Sequence, residues 1–145
     1  MNPHELVKHA LKLLVSKDMS AFAGLWAETG AMEFPFAPPG YPQRLEGRAA
    51  IQEYLRGYPD ILDIREITEQ VVHQSVDPEV VIAEFTAAGI VVATGRPYSL
   101  RYIAVITVRD GEIQHYRDYW NPLAAAEVMG NSDELPTAFS GGAHD

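Results

Sequence analysis

Cysteine is absent from the 145 residues, which excludes disulfides, thiolate metal sites and cysteine nucleophiles. Positive charge is scarce: 11 Lys and Arg stand against 20 Asp and Glu, for a formal charge of −9. The basic residues are scattered, which argues against a nucleic-acid surface, since that would need a basic patch. No apolar run approaches the ~18 residues of a membrane helix. The start, Met1-Asn2-Pro3-His4-Glu5, has neither the basic opening nor the apolar core of a signal peptide. A cytoplasmic protein with no membrane partner is therefore expected. Gly-x-Ser-x-Gly, a phosphate-cradling glycine loop and a dinucleotide fingerprint are all missing, as is any pairing of His with Asp or Glu at metal-binding spacing. Hydride and phosphoryl transfer are disfavoured. Proton transfer without cofactor or metal, or plain ligand binding, remains.

What is present suits one globular domain. The chain is 47% hydrophobic and 21% charged, and its length allows a sizeable core without staples. Leu6, Val7, Ala10, Leu11, Leu13 and Leu14 recur at helical spacing behind Asn2-Pro3, predicting a helix over 3–16. Asp18 or Ser20 opens a shorter second helix with Phe22, Leu25 and Trp26 on one stripe. From Glu28 the period becomes two: Met32, Phe34 and Phe36 alternate with Ala31, Glu33 and Pro35, a short strand that Pro35 places at an edge or at the end of pairing. A proline-rich loop, 37–42, follows. Ile51, Tyr54, Leu55 and Tyr58 then share a helical face over about 48–57. Strands are expected over 63–76, 79–93, 98–109 and 112–120, with a bulge or bend at Gly89 and hairpin-like connections. Pro122 permits a short helix, and 131–145 form a loose tail to a domain of 1–130. Three helices followed by antiparallel strands in meander order is an α+β arrangement. Strands apolar on both faces imply a strongly curved sheet with a cavity against the helices.

The strand from Glu112 to Trp120, entered by Asp110-Gly111 and closed by Asn121-Pro122, holds the leading candidate. Strand alternation puts Gln114, Tyr116, Asp118 and Trp120 on one face, and Ile113, His115, Arg117 and Tyr119 on the other. Asp118 is either a surface carboxylate, free or paired with Arg117 or Arg101, or a carboxylate buried with Tyr116 and Trp120. In the second case desolvation raises its pKa and makes it a proton shuttle near neutral pH. Glu84 shares a face with Ile82 and Thr86, and is either a partner carboxylate in the cavity or a solvated strand residue. His73, on the side of Val71, is either a hydrogen-bonded structural residue or a pocket donor. The aromatic stripe of Tyr54 and Tyr58 is core or pocket wall, with hydroxyls that need partners if buried.

In order and spacing, Glu33-Phe34-Pro35-Phe36 before the proline-rich loop, Glu46-Gly47-Arg48-Ala49-Ala50-Ile51, and Asp110-Gly111-Glu112-Ile113 leading to Arg117-Asp118-Tyr119-Trp120-Asn121-Pro122-Leu123 resemble the SnoaL-like branch of the nuclear-transport-factor-2-like superfamily. Within that branch, Tyr58-Pro59-Asp60, Asp77-Pro78, Glu84-Phe85 and Arg117 to Asn121 are similar to the phenazine-biosynthesis A/B proteins. The resemblance covers roughly residues 3–130. It implies a cone of curved, mainly antiparallel sheet on three helices, a homodimer through the sheet's outer face, and an acid/base carboxylate at the position of Asp118. The phenazine proteins carry glutamate there, so the shorter Asp118 points to a different substrate.

Together these readings give a cofactor-independent enzyme of the cyclase or isomerase kind, acting on a hydrophobic carbonyl-bearing or aromatic metabolite, as in secondary metabolism. Asp118 is the expected acid/base. Tyr54, Tyr102 or His73 would hydrogen-bond the developing oxyanion. Trp26, Met32, Phe34 and Trp120 would form the apolar wall, with Tyr58, Glu84 and Tyr116 completing the pocket. The alternative is a binding protein of the same fold.

Overall fold

The chain is described by a computed structural model over residues 1–129, so the expected tail and the end of the domain lie outside the described residues. Helix α1 (Pro3–Ser16) begins with a reciprocal cap. The Asn2 side chain accepts from the Glu5 amide at 2.8 Å, and the Glu5 carboxylate accepts from the Asn2 amide at 3.2 Å, satisfying donors that a helix start leaves open. Leu6, Val7, Ala10, Leu11 and Leu14 form its buried stripe. Helix α2 (Met19–Ala23) is capped by the Asp18 side chain.

The second helix is shorter than its apolar stripe suggests. It closes at Gly24, and Trp26 opens strand β1 (Trp26–Glu33). Phe22 and Trp26 still meet, edge to face at 5.2 Å between centroids, so the spacing reports a contact and not a continuous helix. Phe34 is buried but Phe36 is 59% exposed. Pro35 carries no amide donor, so regular pairing stops and the chain turns away. Strand β2 (Arg44–Glu46), between the expected proline-rich loop and the third helix, pairs antiparallel with β1 at the sheet edge. Helix α3 (Arg48–Arg56) follows, then a 3-10 turn at Tyr58–Asp60.

Strands β3 (Leu62–Gln74), β4 (Val80–Val91), β5 (Pro97–Arg109) and β6 (Glu112–Trp120) form an antiparallel meander, and α4 (Pro122–Val128) ends the described chain. The sheet order is β2-β1-β6-β5-β4-β3, with β1 and β6 the one parallel pair among the described residues. This is the expected α+β architecture: a curved, open, mainly antiparallel sheet packed against helices.

Bulges supply much of the bending. Register slips in β3 between Ile64 and Glu66 and again between Ile67 and Glu69, and an extra residue per slip tightens the local twist. Opposite the first slip stands Gly89, where an added Cβ would lie 2.0 Å from the Asp63 carbonyl oxygen. The bend expected at Gly89 is thus a bulge in the partner strand that only glycine can face. A third slip, between Thr107 and Val108, pairs Ile113 with Val108 and His115 with Thr107. Gln114 is the extra residue. Simple alternation, which puts Ile113 with His115 on one face, is corrected here: Ile113 is fully buried in the core.

Inner-face residues Val81, Ala83 and Phe85 of β4 and Ala104, Ile106 and Val108 of β5 pack on Leu6, Val7, Leu11 and Leu14 of α1. Burying one such side chain contributes roughly 1.5–3 kcal/mol. Beside Tyr102 the inner face passes to a second apolar cluster of Leu62, Ile64, Tyr98 and Leu100. Asp118 lies where these apolar clusters adjoin.

Candidate active site

Register decides which side chains meet. Asp118 stands opposite Ala104, and Trp120 opposite Tyr102. Ala104 is fully buried, and its small side chain leaves the Asp118 carboxylate room on the inner face. Although Asp118 keeps some exposed surface as a residue, its Oδ1 is buried and accepts no hydrogen bond from the described residues. Burial raises its pKa to about 7. Desolvation is the sole cause at work here, because the buried charged form loses water and gains nothing in exchange.

The tyrosines around it come from different elements: Tyr54 from α3, Tyr58 from the 3-10 turn, Tyr102 from β5 and Tyr116 from β6. The Tyr58 and Tyr102 hydroxyls are 3.2 Å apart. In that contact one donates and the other accepts, which frees the accepting hydroxyl's proton for a third group. Tyr102 is fixed by stacking on Phe85 at 5.2 Å, and Tyr54 by Phe34 at 5.3 Å. All four phenols have raised pKa values, first through burial and further through the negative charge of Asp118. They stay protonated at neutral pH and can act as donors.

Two small cavities meet at the carboxylate. One, about 30 Å³, extends toward Phe34, Tyr54, Leu100, Trp120 and Ala125. The other, about 40 Å³, extends inward toward Leu14, Phe22, Ile64, Phe85 and Tyr116. Met32, Leu55, Tyr58, Tyr102 and Asp118 line both. The expected pocket residues Met32, Phe34, Tyr54, Tyr58, Tyr102, Tyr116 and Trp120 therefore surround Asp118. Leu55, Leu100 and Ala125 were not anticipated. Leu100 has the same strand parity as Tyr102, a usable signal, whereas nothing local to α4 indicates that Ala125 faces a cavity.

Three expected pocket residues lie elsewhere. Trp26 is fully buried behind Tyr116, with ring centroids 5.3 Å apart, and its indole N–H donates to the Ala31 carbonyl at 3.2 Å. It supports the wall without reaching the cavity. His73 and Glu84 are on the outer face of the sheet. Register runs from Val71 through Glu84 and Ile103 to Tyr119, all on the side opposite Asp118. There the His73 ring nitrogen meets the Glu84 carboxylate at 2.7 Å. His115, expected opposite Asp118, is also on the outer face, bonded to Glu33.

A larger concavity, about 460 Å³, lies over this outer face, lined in part by Phe36, Glu84, Arg101, Ile103 and Tyr119. It is the roomier space, but the desolvated carboxylate and the tyrosine donors belong to the inner one. Among the described residues no group of three or more His, Asp or Glu is placed to hold a metal ion. No described helix is long and apolar enough to cross a membrane.

A curved, mainly antiparallel sheet packed on helices is the fold of the nuclear-transport-factor-2-like class. The SnoaL-like domain profile matches residues 7–116, and the chain belongs to the SnoaL-like family. It is 38% identical over 130 residues to an uncharacterized PhzA/B-like protein of Pseudomonas aeruginosa, covering 90% of this chain and 92% of that one. A crystal structure described as a "Putative Isomerase from Bacillus subtilis" superposes with a TM-score of 0.85 at 44% identity, covering 90% of this chain and 94% of that one. A "putative polyketide cyclase" of Pseudomonas putida shares the fold at 24% identity, with a TM-score of 0.77 and coverage of 88% and 98%.

Proposed function

We propose that the protein is a cofactor-independent acid/base enzyme of the cyclase or isomerase kind, acting on a hydrophobic carbonyl-bearing or aromatic metabolite. The observation that carries this is the Asp118 carboxylate, buried with an unpaired Oδ1 at the junction of two apolar cavities beside the Tyr58–Tyr102 hydroxyl pair. Ionised Asp118 takes a proton from the carbon next to the carbonyl, and the electron pair of that C–H bond moves to the carbonyl oxygen. A tyrosine hydroxyl donates to the resulting oxyanion. Protonated Asp118 then returns the proton to another atom of the same skeleton, or the carbanion attacks a second carbonyl carbon of the same molecule, whose π pair moves to its oxygen and takes the proton from Asp118. Positioned proton transfer of this kind contributes about 10²–10⁴-fold, and donors aimed at the developing charge add to it.

The membership of the family and the names of the relatives support this class and leave the substrate open. Asp118→Asn tests it. Turnover of an enolisable aromatic ketone found by screening should fall at least about 10²-fold, with the melting temperature no lower than that of the parent. Unchanged turnover sinks the mechanism. In the parent, kcat/KM should climb about tenfold per pH unit up to about 7 and then level off, because the base must be ionised.

The family match is to a domain with no activity attached, which leaves a second reading, a binding protein in which Asp118 only hydrogen-bonds its ligand. Binding whose affinity tracks Asp118 ionisation, with no turnover, would support that reading. A homodimer through the outer sheet face also belongs to the proposal, supported by the exposed Val71 and Ile103 beside the outer concavity. A cytoplasmic setting without nucleic-acid or membrane partners rests on sequence grounds alone.

A further inference from the structure

Among the described residues, the walls around Asp118 carry no positive charge. Both cavities are lined by aliphatic, methionine, aromatic and tyrosine side chains, with Asp118 their one carboxylate and no Lys, Arg or His. Several of the chain's cations are engaged elsewhere: Lys17 with Asp63, Arg44 with Glu33 and Glu46, Arg56 with Glu53, and Arg109 with Glu79. Arg101 and Arg117 extend from the outer face, on the side of Glu84 and Tyr119. Residues 130–145 contain Asp133, Glu134 and Asp145, one histidine, and no Lys or Arg. Sites that bind carboxylates or phosphates supply such cations, above all arginine, because a buried anion needs charge-assisted donors.

Here the balance is reversed. An anion brought beside Asp118 would face a like charge in a medium that screens it poorly. A protonated amine meets an unpaired carboxylate oxygen and the rings of Tyr54, Tyr102 and Trp120, whose faces attract cations. From the 3-10 turn and β6, Tyr58 and Tyr116 complete the titratable groups around Asp118, and as protonated phenols they are neutral. The segment after β1 offers Phe34, and α4 offers Ala125.

We infer that the cavity selects its ligand by charge: its substrate carries no carboxylate or phosphate, and an amine whose protonated nitrogen reaches Asp118 binds more tightly than the neutral carbonyl compound of the same shape. This rests on the reading that Asp118 faces the ligand, and it adds the electrostatic class of that ligand. It also gives a route to inhibitors, since a basic nitrogen placed where the substrate has its acidic carbon would occupy the site without reacting.

Three probes that share one small skeleton make the test: acetone, isopropylammonium and isobutyrate, titrated into the full chain while the side-chain carboxyl carbon of Asp118 is followed by NMR. At pH 8 the amine should bind more tightly than the ketone, and the carboxylate at least about a hundredfold more weakly than the amine. Below pH 7 the amine's affinity should fall about tenfold per unit as Asp118 takes up its proton, while the ketone's stays level. Asp118→Asn, a near-isosteric change, should bring amine and ketone within about threefold of each other. A carboxylate that shifts the Asp118 signal with an affinity close to the amine's overturns the charge rule and leaves the site standing. Silence from all three probes at Asp118 overturns the ligand site itself, and the inference with it.

Discussion

Asp118 contributes to stability with a sign opposite to that of most carboxylates. Its pKa is raised from 3.8 to about 7 on folding, so between those values the folded chain holds a proton that the unfolded chain has released. Stability from this group is fully present below the unfolded pKa and is lost as pH rises through the folded one. A shift of about three units corresponds to roughly 4 kcal/mol, an upper bound because water reaches part of the residue. Urea midpoints between pH 4 and pH 8 should therefore fall as pH rises, once the other groups are accounted for. Asp118→Asn should flatten that slope and be the more stable protein at pH 8. A midpoint in the variant that tracks the parent across the range would show that Asp118 is not desolvated. Such a cost is what an acid/base group pays for titrating near neutrality.

Elements, not single residues, aim the site. Strand β6 begins at a two-residue turn with both Asp110 (φ 54°) and Gly111 (φ 76°) left-handed, the geometry that suits the twist of a hairpin. The bulge at Gln114 then brings both Ile113 and Tyr116 to the inner face, and two residues on from Tyr116 the carboxylate follows. At the other end, Asn121 accepts from the Leu123 and Ala124 amides at 2.9 and 3.3 Å, starting α4 so that Ala125 lands on the cavity. Asn121→Ala should cost about 1 kcal/mol and, by loosening α4, change ligand affinity more than global stability; thermal melts beside titrations would separate the two. Gly89→Ala should be far more damaging, at least about 2 kcal/mol, because the Asp63 backbone it would strike cannot move without undoing the β3 bulge. Gly95→Ala (φ 72°), with open space around the added carbon, should lose only about 1 kcal/mol. Equal losses at the two glycines would remove the bulge argument.

For the molecule as a whole, the sheet has two working faces. The inner one meets the helices and holds the cavity. The outer one carries Ile103 and Val71 exposed among the pairs His73–Glu84 and His115–Glu33. Ile103 is the central residue of that face, flanked in register by Glu84 and Tyr119. If a second copy covers this face, Ile103→Glu should give monomers in sedimentation velocity at micromolar concentration, with circular dichroism unchanged. A parent that is itself monomeric would refute the dimer.

The sequence by itself determined the class of fold and singled out the candidate carboxylate. Helical spacing in 3–16 and 48–57, period two thereafter, and turn chemistry at Asp110-Gly111 and Asn121-Pro122 are local signals, and local signals survive without knowledge of packing. The company of Asp118, with Tyr116 and Trp120 two residues to either side, is likewise fixed by the pleat. Alternation says which residues share a face, but not which face of one strand coincides with which face of the next. That is set by register, and register here is altered by bulges in β3 and β6. Only the folded sheet put Glu84 and His73 on the side away from Asp118, Trp26 behind Tyr116, and Ala125 at the cavity wall, because those placements depend on partners far away in the chain. The carboxylate was legible in the strand. The lack of a positive neighbour for it among the described residues was a property of the tertiary structure, since burial and charge pairing come from elements that meet only when the chain has folded.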